Sequence, residues 1–407
     1  MKSSNTHVRG DTFAIRNVTV VLPDSVLQDG CVVVEHGIIT DVHAGTAPDG
    51  AIDGNGLVCM PGMVDTHNDG IERELMPRPN APVPMEFALR AFEARVRSAG
   101  ITTLYHGISW ENDAKWHRSV ELARRFCDTI NEYRSSDDAL IDHRLLHRLD
   151  ARDGDGSAAL REYLEGCRTD DDFGASTPLV SFEDHTPGQG QYTDSAGLVS
   201  YLMGTKQLSL DAANAEIQKL SIEREQNKHH RITALEWICQ AALAGHIRLI
   251  GHDLATPQEV AEAGAWGAYI AEFPTTLDAA RLAKDNGLRT VCGAPNVLRG
   301  GSHSGNVGAI DLIRAGLCDG LCSDYLPYGM IAAVATLVAD DVCSLPAAVR
   351  LVSRGPALTV GLDDRGLITR GMRGDLVLAR FTGRIGQVVA TFSVAGSVAD
   401  NDTLLGM

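Results

Sequence analysis

The segment PGMVDTHNDG places His67 and Asp69 two residues apart, between a Pro-Gly pair and an Asn-Asp-Gly turn. On a strand, that spacing points both side chains to one face. An imidazole beside a carboxylate suits Zn²⁺ or a similar first-row ion. Ionisable residues also close other apolar runs: Asp150 in IDHRLLHRLD, His185 in PLVSFEDH, His252 in HIRLIGHD and Asp324 in GLCSDY. A charge at the end of an apolar run carries a desolvation cost unless it is paired or metal-bound. That recurrence marks these residues as functional candidates. His106, His143, His147 and Glu272 are equally consistent with packing, and the adjacent His229 and His230 read as surface residues.

A second constellation is NVLRGGSHSGN, residues 296–306. Arg299 supplies a cation, while Gly300, Gly301, His303 and the small hydroxyl residues form a loop able to present backbone N–H groups to an anion. An ordinary flexible loop has the same composition. Arg78 in LMPRPN and Gln189 in DHTPGQGQ add polar groups after other strand-like runs, which favours the anion-binding reading.

Residues so far apart meet only if the elements carrying them converge. Eight strand-like runs are legible: 63–69, 101–108, 141–150, 178–185, 246–253, 267–273, 289–295 and 320–325. Helical patterns separate them. PMEFALRAFEARVRSAG sets Met85, Leu89, Phe92 and Val96 on one face and stops at Gly100. TPQEVAEAGAWG starts with a Thr256 cap and Pro257 in the first turn. The span from His67 to Asp324 is close to the ~250 residues of a (β/α)8 barrel, whose C-terminal strand ends share one mouth. The expected fold is therefore an α/β, TIM-like (β/α)8 barrel over 61–365. Short β-branched runs at both ends, 1–60 plus 366–407, are expected to pair into a small β-sandwich domain. The polar insertion 186–235 is expected to form a lid or an extra helical pair.

Composition narrows the function classes. A net charge of -17 argues against a nucleic-acid partner. No stretch approaches the roughly 18 apolar residues of a membrane span, and the N-terminus has no apolar signal core. Nine cysteines without a CxxC pair point to a reducing compartment, with cytoplasm as the default. A homo-oligomer stays open.

The runs VLPDSVLQDGCVVVEHGIITDV, PGMVDTHNDG, IGHD, LCSDY and GLITRGMRGDLVLA together resemble the amidohydrolase superfamily over nearly the whole chain. Within it, THNDGIERELMPRP, DHTPGQ, EFPTT, GAPNVLRGGSHSGN and CSDY resemble the subfamily of α-D-ribose 1-methylphosphonate 5-triphosphate diphosphatases of the carbon–phosphorus lyase pathway. The resemblance implies a hydrolase that releases pyrophosphate from a phosphorylated sugar during phosphonate catabolism. It implies one or two divalent ions, zinc foremost and manganese or iron as alternatives, on His67, Asp69, Asp150, His185 and His252. Asp324 is the implied proton acceptor, and Arg78, Gln189, Arg299, Gly300, Gly301 and His303 the implied substrate contacts. Asp150 departs from the pattern, which has Glu in the third-strand motif. A carbon–nitrogen hydrolase (deacetylase, cyclic amidase or deaminase) would use the same centre. A catalytically silent scaffold would have no reason to retain His67, Asp69, His252 and Asp324.

Overall fold

Fifteen strands are formed by the described part of the chain, residues 12–113, 117–167, 177–188, 195–302 and 304–394 of a computed structural model. They are β1 (Phe13–Val21), β2 (Val26–Glu35), β3 (Ile38–Ala44), β4 (Ile52–Asp53), β5 (Val58–Pro61), β6 (Met63–Asn68), β7 (Ile101–Trp110), β8 (Asp142–Asp150), β9 (Leu179–Glu183), β10 (Arg248–His252), β11 (Ala268–Glu272), β12 (Arg289–Gly293), β13 (Gly320–Cys322), β14 (Leu376–Thr382) and β15 (Ile385–Phe392).

Strands β6 to β13 lie side by side in chain order, each parallel to the next. Helices fill every interval, as parallel pairing requires. This is the (β/α)8 barrel, and all eight strand-like runs of the sequence contribute a strand to it. Val64, Tyr105, Leu146, Leu179, Ile250, Ile270, Val291 and Cys322 fill its interior as an apolar layer. Below that layer, Arg365 donates to Asp142 at 2.7 Å and to Thr103 at 2.8 Å, plugging the N-terminal end with paired charge.

The helix Met85–Ser98 buries Met85, Leu89, Phe92 and Val96 against the barrel, the face expected from its periodicity. Each such side chain contributes about 1.5–3 kcal/mol of transfer free energy. Gly100 then takes φ +88°, a left-handed turn that glycine adopts without steric cost. The helix Pro257–Ala265 opens with a capping box between Thr256 and Glu259. In the insertion, three helices form: Ser195–Lys206, Leu210–Gln226 and Lys228–Leu243.

The two ends of the chain build a second sheet, ordered β15-β14-β5-β1-β2-β3, with β4 beside β1. Phe13 on β1 stacks on Phe392 of β15 at 5.2 Å between ring centroids. Three strand steps span about 14 Å in a flat sheet, so this sheet curls over its own core. Ile15, Val32, Ile39, Cys59 and Leu376 fill that core.

The barrel closes between its first and last strands. Asp324 N–H donates to His67 O at 2.9 Å, and Asp69 N–H donates to Asp324 O at 2.7 Å. Behind this seam, Ser323 Oγ donates to Asp65 and accepts from Asn68, and Ser323 N–H donates to Asp65 at 2.9 Å. All three side chains are buried. Replacing Ser323 with Ala leaves Asp65 and Asn68 short of a partner and should lower unfolding free energy by about 1–3 kcal/mol. Denaturant melts of both chains measure this; a change below about 0.5 kcal/mol, the scale of an ordinary surface substitution, would contradict it.

Candidate metal centre and active-site cleft

Val64 faces the barrel interior, and strict alternation would send Thr66 inward after it. The β6–β7 register breaks between Asp65 and Asn68, which pair with Leu104 and His106. Two residues on β6, Thr66 and His67, thus oppose Tyr105 alone on β7, a bulge of the kind that re-aims a side chain. His67 and Asp69 consequently face the mouth, while Asp65 and Asn68 turn outward to Ser323. On the last strand Cys322 points inward, so Asp324 does too. Asp324, Asp253 and Phe273 directly follow or lie just beyond their strands with φ of +58°, +55° and +52°. A left-handed conformation costs a non-glycine residue about 1–3 kcal/mol, and such strain concentrates at functional sites.

Among the described residues, seven at the mouth form overlapping groups with ligand atoms within 4.8 Å of one another. These are His67 with Asp69 and Asp324, Glu183 with His185 and His252, and His67 with His252 and Glu272. Glu272 Oε2 accepts from His67 Nδ1 at 2.9 Å and from His252 Nδ1 at 3.0 Å. His67 Nε2 then faces Asp69 Oδ1 at 3.3 Å. Arg148 Nη1 donates to Asp69 Oδ2 at 2.6 Å, and its Nε and Nη2 donate to the two Glu183 oxygens at 2.9 Å each. His185 lies at the rim, its Nε2 3.8 Å from Glu183.

These groups shift one another's protonation. Burial pulls the His67 imidazole down, but Glu272 and Asp69 outweigh it and hold His67 well above its ordinary value. His252 shows the same contest, burial against Asp253 and Glu183, and ends at about 9. Burial pushes Glu272 up, yet the two imidazoles bring it down to about 2. Asp324 goes the other way, raised to about 6 by burial and by the charge of Asp69. Two imidazoles drawn toward the cationic form by surrounding carboxylates are a donor set suited to a divalent ion, which satisfies the same carboxylates without the extra protons. Glu272 Oε1 is buried with no hydrogen-bond partner among the described residues, consistent with a group that has capacity left for a cation. The residues present therefore fit a metal.

A cleft leads away from Asp324 and Asp253, past Phe273 and Asn296, to Arg299, Ser302 and Ser304. Arg299 Nη1 donates to Tyr325 Oη at 2.6 Å, so the cation is held at the cleft rather than free to swing.

The structure brings together His67, Asp69, His185, His252 and Asp324. Asp150 is corrected. It shares the inward face with its ladder partner Glu183, but Arg224 Nη1 takes both its oxygens at 2.7 and 2.6 Å, and it joins none of the ligand groups. Glu183, on the neighbouring fourth barrel strand β9, is the carboxylate that joins His185 and His252 instead. Gly300 and Gly301 are corrected as well. Their N–H groups donate to Val297 and Asn296 carbonyls, closing the helix Ala294–Arg299, and are not free for an anion. Arg78 is exposed in the turn that ends at Ala81 and does not line the cleft. Gln189 and His303 lie outside the described residues.

Sequence reading missed Glu183 and Arg148 and left Glu272 undecided. Glu183-x-His185 repeats the spacing of His67-x-Asp69, a signal that would have found it. His106, His143 and His147 are structural: His106 Nε2 contacts His143 Nδ1 at 2.8 Å in the strand–helix layer, and His147 accepts from Trp110 Nε1 at 3.1 Å.

No family model matches the sequence. The chain is 32% identical over 369 residues to the alpha-D-ribose 1-methylphosphonate 5-triphosphate diphosphatase of Escherichia coli (strain K12), covering 90% of this chain and 94% of the relative. It belongs to that diphosphatase's family. Solved structures share the fold. An N-acetyl-D-glucosamine-6-phosphate deacetylase from Mycobacterium smegmatis aligns with a TM-score of 0.58 at 16% identity, over 95% of this chain and all (100%) of that one. A triazine hydrolase variant aligns at 0.60 and 13% identity, over 97% and 98%. Within this family the chain is a hydrolase.

Glu272 positions both imidazoles, and outer partners of this kind are worth about 10–100-fold in metal affinity. Glu272→Gln should weaken zinc binding by that factor in a chelator competition assay; unchanged affinity would rule out the positioning role.

Proposed function

We propose that this enzyme hydrolyses α-D-ribose 1-methylphosphonate 5-triphosphate to the 5-phosphate and pyrophosphate, as a step of phosphonate catabolism. The observation that carries the reading is the cleft joining Asp324, at the ion cluster, to Arg299. A substrate reacting at Asp324 extends its leaving portion toward a fixed cation. The diphosphatase relative supports the same substrate class.

A divalent ion, with zinc as the proposed identity, would be held by His67 and Asp69 beside Asp324, with His252 and His185 close by. When bound, such an ion acidifies a water molecule and offsets negative charge on a phosphoryl oxygen. Asp324 Oδ accepts the proton of the attacking water, and its elevated affinity for protons, near pH 6, suits a base working close to neutrality. Attack falls on the α-phosphorus, the bond to the α–β bridging oxygen breaks, and pyrophosphate leaves. Arg299 compensates the charge that accumulates on the departing pyrophosphate. Ser302 and Ser304 offer hydroxyl donors along the same path, and Ser304 Oγ has no partner among the described residues. Phe273 packs against His67 and His252 at 5.5 and 5.3 Å between ring centroids and keeps bulk water from that side.

Asp324→Asn should keep fold and metal content while lowering kcat by at least the roughly 10²–10⁴-fold typical of a lost general base. Near-normal turnover would remove Asp324 from this role. Arg299→Ala should raise KM for the ribosyl triphosphate while leaving the metal content unchanged. The decisive assay measures pyrophosphate release from that triphosphate beside N-acyl sugars: release of acetate with no pyrophosphate would favour a carbon–nitrogen hydrolase instead.

A further inference from the structure

The reaction above makes no use of Arg148, a buried cation at the barrel mouth. It stands on β8, two residues beyond the inward-facing Leu146, and its side chain is buried to 11% exposure between two strands of carboxylates. Its guanidinium makes three close bonds: Nη1 to Asp69 Oδ2 at 2.6 Å, and Nε and Nη2 to Glu183 Oε1 and Oε2 at 2.9 Å. The bidentate grip uses both Glu183 oxygens, and guanidinium carries its charge at any accessible pH. Asp69 Oδ1 alone stays turned toward His67 Nε2.

The two ligand groups of the mouth are thereby made unequal. His67, Asp69 Oδ1 and Asp324 have donor atoms facing one another. In the group of Glu183, His185 and His252, the carboxylate is already spanned by a cation. We propose that Arg148 takes the place of a second divalent ion between Asp69 and Glu183, so that this hydrolase works with one metal per chain. A guanidinium and a divalent ion cannot both sit between these carboxylates without strong like-charge repulsion in a buried site.

The surrounding backbone is shaped for the arginine. Gly107, the inward residue of β7 beside β8, leaves the space it fills. A Cβ at that position would lie 2.4 Å from Asp69 Oδ1 and 3.1 Å from Arg148 Cδ. Glu72 and Asp150 lie further out and are paired with Arg118 and Arg224, so Arg148 is the cation that Asp69 and Glu183 share. The inference rests on the metal-site part of the proposed function and not on its substrate.

The test counts metal. Full-length protein is stripped with chelator, refilled with Co²⁺, desalted and assayed for cobalt and by electron paramagnetic resonance. Wild type should retain one Co²⁺ per chain with the spectrum of an isolated ion. Arg148→Met, close in length and uncharged, should retain two with a spin-coupled spectrum, and adding Glu183→Gln should return the count to one. Two ions in wild type overturn the proposal, as does a folded R148M chain that holds only one. Should R148M fail to fold, the wild-type count decides alone. Because no substrate enters the count, absence of pyrophosphate release would overturn the proposed reaction and leave this inference standing. Two ions in an enzyme that does release pyrophosphate would do the reverse.

Discussion

Closure of the barrel and assembly of the site are the same physical event. Two backbone hydrogen bonds join β6 to the end of β13, Asp324 N–H to His67 O and Asp69 N–H to Asp324 O. They bind the very residues whose side chains enter the mouth. The bulge at 65–68 gives this seam its character, because it lets one strand serve two faces. Outward, Asp65 and Asn68 lock onto Ser323; inward, His67 and Asp69 meet Asp324. A single-residue change of register there would exchange the two sets, burying an aspartate against helices and turning the histidine away from its partners. Strain at Asp324, held at φ +58°, is tolerated because these backbone and side-chain bonds over-determine it.

Once closed, the mouth holds a concentration of charge that a low-dielectric interior does not accept singly. Burying an unpaired ion costs several kcal/mol, and removing one partner from a buried pair typically costs about 3–5 kcal/mol. The molecule answers with two shared partners. Glu272 serves two imidazoles through one oxygen, and Arg148 serves two carboxylates through three N–H groups. Shared partners couple strands that are not neighbours: β6 to β10 through Glu272 on β11, and β6 to β9 through Arg148 on β8. The side chains are thus held in place before any ligand arrives, which is what electrostatic catalysis requires of a site. Charge at the opposite end of the barrel, Arg365 with Asp142, is separated from this set by the apolar layer and has no route to it.

Much of this was legible in the sequence, and the failures share a cause. Strand-like runs separated by helical periods are local signals, so all eight barrel strands could be read. His67-x-Asp69 was legible because both members lie on one strand. Asp150 was misassigned because its chemistry is decided by Arg224, 74 residues away in a helix of the insertion. Without that partner, Asp150 and Glu183 look alike: each is a carboxylate near the end of a strand, and they pair directly across the β8–β9 ladder. Gly300 and Gly301 misled for a different reason. A Gly-Gly pair suits an anion nest and a helix C-terminus equally, and here the helix Ala294–Arg299 claims the amides. Gly107 carries no side-chain signal at all; its role appears only when Asp69 and Arg148 are seen crowding the space a Cβ would fill.

The ion cluster by itself does not select among hydrolytic reactions, since an acidified water and a buried aspartate serve an amide carbonyl as well as a phosphorus. Selection falls to the walls that lead away from it. Net charge on the chain is -17, so a polyanion approaches against the overall field and must be drawn by local cations. Arg299 answers this need with a pre-set geometry: its guanidinium is bonded to Tyr325 Oη, one residue after Asp324, while Arg73 lies over the same ring at 5.9 Å. Asp324 and the tyrosine that anchors the cation are therefore adjacent on one turn after β13. On the proposed reading, this adjacency sets the distance between the site of attack and the charge that meets the leaving group. An amide substrate would gain nothing from it, because its leaving amine needs a proton and not a cation. The arrangement around Tyr325 thus bears on the choice of reaction more directly than the ligands do.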